Sequence, residues 1–114
     1  MRLINRTKNT VLSDDVILAD TFLKRVKGLL GKNTFSSGQA LILEPCISVH
    51  TFFMRFPIDV IFADKAFRVI DIIHKLSPNK LSPVYWNSSK VIELPSGTIS
   101  LTCTQKGDNL SFSS

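Results

Sequence analysis

The sequence predicts a mainly β fold, a compact β-sandwich or barrel with one short amphipathic helix near residues 21–30. Three observations carry this. Short runs rich in Ile, Val and Phe recur along the chain. Pro, Gly, Asn or Asp separate most of them. One stretch alone repeats its apolar residues at helical spacing.

In chain order, Arg2 to Arg6 and Thr10 to Leu12 flank a Thr7-Lys8-Asn9 turn, and Val16 to Leu18 follows the polar Ser13-Asp14-Asp15. Asp20 can cap a helix whose apolar face is Phe22, Leu23, Val26, Leu29 and Leu30, with Gly31 as its stop. After the loop Asn33 to Gly38, strands are expected at Ala40 to Leu43, Ser48 to Phe56, Ile58 to Ala63, Phe67 to Lys75 and Val91 to Leu94. Leu81 to Ser89, carrying Pro83, Tyr85 and Trp86, reads as an irregular crossing. Pro95-Ser96-Gly97 is a turn, and Thr98 to Thr104 a short helix or strand. Lys106 to Asn109 is another turn, and Leu110 to Phe112 the last strand.

The 114 residues suit a single domain, 1–114, and contain no repeat or linker. At 44% hydrophobic and 20% charged residues, the composition excludes general disorder. A chain of this size buries roughly two-thirds of its unfolded surface, so neither metal nor disulfide is required. No apolar run reaches the roughly 18 residues of a membrane helix. The N-terminus lacks a signal-peptide core, so a cytoplasmic location is expected, with Cys46 and Cys103 as reduced thiols. The net charge of +5 permits attraction to anions, but no Lys/Arg block or RNA-binding signature sharpens it.

Chemistry-bearing residues concentrate in Cys46 to Asp59. If Ser48 to Phe56 is a strand, His50, Phe52, Met54 and Phe56 share one face, and Thr51, Phe53 and Arg55 the other. Both faces are largely apolar, so the strand is expected to be buried, and His50 and Arg55 then need partners. Asp59, Glu93 and Asp71 are the carboxylates available. His50, Phe53, Met54, Arg55, Asp59 and Glu93 therefore form either a structural polar network or a small-ligand pocket. Arg55 is expected to pair with Asp59 or Glu93. A Cys46–His50 nucleophile–base pair is unfavourable, since four extended residues span roughly 13 Å. Cys46, His50, His74 and Cys103 lack the paired spacing of a zinc site, and no nucleotide-cradling or zinc-protease motif occurs, so no cofactor is implied. Lys24, Arg25 and Lys27 make a basic helix face, read as solvated.

Four segments resemble one known family. Arg25-Val26-Lys27-Gly28-Leu29-Leu30-Gly31-Lys32 is similar to its R-x-x-G-L-M-x-R opening. Phe53-Met54-Arg55-Phe56-Pro57-Ile58-Asp59-Val60-Ile61-Phe62 is similar to its W-M-K-N-T…P-L-D-x-x-F centre. Val91 to Gly97 and Lys106-Gly107-Asp108 look like its closing V-L-E-L-P-x-G and G-D elements. Taken in order over Asp20 to Phe112, they resemble the domain-of-unknown-function 192 family of small bacterial and archaeal proteins. Leu30 stands where the pattern has Met, and the central W-M-K-N-T is shortened to Phe53-Met54-Arg55-Phe56. The resemblance implies a mainly β, jelly-roll-like domain with one short helix, and no established activity.

The functional expectation is an uncharacterised conserved protein acting as a non-catalytic binding module for a small ligand or protein partner. Two other classes compete with it. One is an enzyme using His50 with Asp59 or Glu93 as acid and base. The other is a weak nucleic-acid or anionic-surface binder acting through Lys24, Arg25 and Lys27.

Overall fold

The computed structural model of the chain describes residues 1–21, 24 and 34–113. Its strands are β1 (Arg2–Asn5), β2 (Thr10–Ser13), β3 (Asp15–Ala19), β4 (Gln39–Leu43), β5 (Ile58–Ala63), β6 (Val69–Leu76), β7 (Lys90–Pro95) and β8 (Leu110–Ser113). One five-residue helix, α1 (Thr98–Thr102), joins β7 to the last turn. Of the helix expected over residues 21–30, all but residues 21 and 24 lie outside the described residues.

Two sheets result. Strands β2-β1-β8 form a small antiparallel sheet, and β3-β4-β7-β5-β6 a larger one. They do not close into a barrel. The β3–β4 pair is parallel, with Val16 beside Ala40 and Leu18 beside Ile42, which departs from the wholly antiparallel order of a jelly roll.

Apart from Asp59 and Glu93, the inner residues of the central strands β5 and β7 are apolar on both faces because both faces are covered. All six residues of β5 are buried. Ile61 and Ala63 of β5, with Ile92 and Leu94 of β7, pack against Leu3, Leu12 and Leu110 of the small sheet and Ile99 of α1. Ile58, Val60, Phe62 and Val91 point the other way, into a second cluster completed by Leu41, Leu43, Val49 and Met54. Alternation along a strand thus feeds two separate half-cores.

A buried polar network ties the chain's two ends together. Asn5 Nδ2 donates to Thr104 Oγ1 (3.1 Å) and to Asp108 Oδ2 (2.9 Å), while Asn5 Oδ1 accepts from the Lys8 amide (3.0 Å). The Lys8 ammonium reaches Asp108 Oδ1 at 3.0 Å. Gly107, at φ 88°, makes the turn that delivers Asp108 into this network.

The strand expected over Ser48 to Phe56 is not formed. Beyond the isolated bridge of His50 with Leu81, the segment runs as turns and irregular chain. Phe53 adopts φ 63°, and the Met54 amide donates back to Thr51 O (3.2 Å), so the chain reverses where a strand would continue. The apolar run that reads as a strand contributes Val49 and Met54 to the second half-core as a crossing segment instead.

Candidate functional site

The site residues fall into three places. Asp59 lies wholly buried in β5 and faces the small sheet. Its Oδ1 accepts the Lys75 amide (2.9 Å), and its Oδ2 accepts the amides of Gly97 (3.1 Å) and Ile99 (2.8 Å). Gly97, at φ 97°, allows the turn that aims these amides inward. Asp59 therefore joins β5, β6 and the start of α1, and all its partners are backbone.

Glu93 is 4% exposed and lies in register with Leu41 on one side and Val60 on the other. It shares the face of Val91, in the half-core beneath Val49 and Met54. Among the described residues its Oε2 has no hydrogen-bond partner. Burial pushes its carboxyl up to about 8, so the protonated form dominates at neutral pH.

The expected Arg55 ion pair is not made with either carboxylate. Arg55 is exposed. Asp59 is taken up by three amides on the far face, and Glu93 accepts no bond from Arg55. The expectation rested on Arg55 lying in a buried strand, and that strand is absent.

His50, Phe53 and Met54 belong to a loop built on Thr51, which the sequence reading left without a role. Thr51 is fully buried. Its amide donates to Lys80 O (2.8 Å) and its hydroxyl to Ser77 O (2.6 Å), while its carbonyl accepts the Asn79 amide (2.8 Å). The Phe53 amide donates to Asn79 Oδ1 (3.2 Å). Residues 50–54 and 77–82 thereby form one tip, cross-linked by its own hydrogen bonds. A threonine inside an apolar run is the sole sequence signal for this hub.

The apolar surface of the tip is exposed. Phe53 is 82% accessible, Leu81 67% and Phe52 41%. The His50 ring stacks on Phe52 at 5.2 Å between centroids. Met54 turns inward into the second half-core, with Val60 and Phe62.

Elsewhere, the Tyr85 hydroxyl donates to Asp71 Oδ2 (2.6 Å), and the Lys106 ammonium lies 3.2 Å from Asp71 Oδ1. Asp71 thus serves neither His50 nor Arg55. Burial alone would raise its pKa, but bonds from Tyr85, the Ile72 amide and Lys106, with the Lys106 charge, hold it below the ordinary value. Cys46 Sγ donates to Ser48 O (3.0 Å). No group of metal-ligating side chains occurs among the described residues. An open cleft of about 410 Å³ lies between Asp64–Ala66 and Trp86–Ser89, and none of the expected site residues lines it. Of the basic helix face, Lys24 is exposed and lies 3.8 Å from Asp20 Oδ1; Arg25 and Lys27 lie outside the described residues.

The DUF192 family model, "Uncharacterized ACR", matches residues 3–112. The chain belongs to the DUF192 family. A UPF0127 protein of Pyrococcus horikoshii is 34% identical to it, covering 96% of this chain and 97% of its own. A UPF0127 protein of Thermococcus sibiricus is 33% identical, over 96% of this chain and 73% of its own. Among solved structures, a protein of unknown function from Novosphingobium aromaticivorans superposes with a TM-score of 0.85 at 20% identity, over 98% of this chain and 84% of that one. A Sinorhizobium meliloti protein whose suggested role is transcription regulation gives a TM-score of 0.79 at 20% identity, over 96% and 89%. At that identity the likeness establishes the fold alone. No described helix is long and apolar enough to cross a membrane.

Proposed function

We propose that this DUF192 chain is a non-catalytic binding module of the cytoplasm, a single domain that recognises its partner through the tip of residues 50–54 and 77–82. The observation that carries this reading is Phe53. An aromatic side chain at φ 63° is strained, and here it stands in solvent rather than filling the core. The loop around it is over-determined by the Thr51 and Asn79 hydrogen bonds. Strain of this kind, held in place by surrounding structure, marks functional loops.

Acid–base catalysis by His50 with Asp59 or Glu93 has little support. Asp59 and Glu93 face opposite half-cores, and neither meets His50. The test is a panel of metabolites, peptides and anionic vesicles, followed by amide chemical shifts. Shifts concentrated at residues 50–54 and 77–82, lost in Phe53→Asn, are expected. Binding focused elsewhere, or chemical turnover of a panel member, would overturn the reading.

A further inference from the structure

We infer that the occupant of this tip is the surface of an anionic phospholipid bilayer, so that the chain is a peripheral lipid-surface binder. The inference rests on the binding-module reading above and goes further by naming the partner.

Three properties of the tip carry it. First, its apolar residues are contiguous in the fold. The Leu81 backbone bridges His50, and the exposed Phe52 and Phe53 follow two and three residues on. Such a knob gains free energy on entering the interface between headgroups and acyl chains. Second, its charge is of one sign. The tip, residues 50–54 and 77–82, carries Lys80 and no Asp or Glu, and Arg55 and Lys75 flank it on the two segments that the Thr51 and Asn79 bonds cross-link. Basic side chains beside an apolar knob match a negatively charged leaflet. Third, much of the tip's backbone is already bonded. The amides of Thr51, Phe53, Met54, Asn79 and Lys80 all have internal acceptors, so partial dehydration strands none of them.

The same features fit a single-stranded nucleic acid less well. Base stacking needs open ring faces, and the Phe52 ring already has His50 stacked on it, which leaves Phe53 to stack a base. Leu81 supplies no stacking surface at all.

The test is sedimentation of the whole chain with vesicles of phosphatidylcholine alone and of phosphatidylcholine with phosphatidylglycerol, at low and high salt. Binding is expected to the anionic vesicles alone and to weaken with salt. Phe53→Asn, which suits the left-handed backbone, should weaken it about tenfold with the fold intact by circular dichroism. Lys75→Gln with Lys80→Gln should weaken it at least about tenfold. Binding that Phe53→Asn leaves unchanged is simple charge attraction and overturns the inference. No vesicle binding also overturns it. If a peptide or a single-stranded oligonucleotide then shifts the tip amides in a Phe53-dependent way, the binding-module reading survives without the lipid.

Discussion

Asp59 and Glu93 occupy neighbouring strands one register step apart, yet their carboxylates enter opposite half-cores of the same sheet. Asp59 pairs with Leu94 and Val60 with Glu93, so the pleat alone separates the two groups. The separation gives them opposite chemistry. Asp59 gathers three amides, while Glu93 lies among hydrocarbon side chains and stays protonated at neutral pH. The predictions below follow from this and from the other buried polar groups.

Asp59→Ala should destabilise the protein by roughly 3–5 kcal/mol, because three inward-pointing amides lose their acceptor together. Arg55→Met, at an exposed position, should cost less than about 1 kcal/mol. Urea midpoints of the two variants check this, and equal losses would contradict it.

Glu93 makes stability fall as pH rises. Its carboxyl ionises near 4.5 when unfolded and at about 8 when folded. Between those values the folded state binds more protons, so this contribution is full below about 4.5 and is lost as pH rises through about 8. The loss should be roughly 3–5 kcal/mol across that window. Glu93→Gln removes the titrating group and should flatten the decline. Urea midpoints on either side of the window, for both proteins, are the measurement.

On the acid side Asp108 contributes alongside Asp71. Burial alone would raise its pKa. Bonds from Asn5 and the Gln105 amide, with the Lys8 ammonium, outweigh this and hold it below the ordinary 3.8. A depressed carboxyl contributes stability above 3.8 that is lost as pH falls through its folded value. Asn5→Ala should therefore weaken the protein at neutral pH by roughly 2–3 kcal/mol and soften the acid transition. Circular dichroism against pH reads both.

Tyr85 is the sole tyrosine, so phenolate absorbance reports it directly. Burial, the hydrogen bond to Asp71 and the Asp71 charge push it up to about 12. In Asp71→Asn the titration should move down toward the ordinary 10.0. An unchanged curve would mean the hydroxyl does not meet Asp71 in solution.

Phe53→Asn should leave stability unchanged or raise it by about 0.5–1 kcal/mol, since Asn tolerates the left-handed backbone better than Phe. A thermal melt decides. A marked loss would make Phe53 part of the scaffold and remove the basis of the proposed function.

Much of the fold is legible in the sequence, because local rules decide it. Ile58 to Ala63 is a strand at the bounds that β-branched and aromatic residues between Pro57 and Asp64 dictate. The turns at Thr7-Lys8-Asn9 and Pro95-Ser96-Gly97, and the irregular crossing from Leu81, follow from the same punctuation. Glu93 and Asp59 also stand out in the sequence as charges set in apolar runs. Three things were decided by the tertiary structure. Ser48 to Phe56 has the composition of a buried strand, but as a crossing segment it buries only Val49, Thr51 and Met54, and the Thr51 and Asn79 hydrogen bonds select that outcome from 26 residues away. The destination of each buried carboxylate depends on strand register, and a one-residue difference sends Asp59 and Glu93 to opposite faces. Phe53 stands in solvent because long-range bonds fix the turn beneath it, whereas hydrophobicity alone would place it inside. Composition and spacing set which segments want burial; register and long-range hydrogen bonds set what each one meets there.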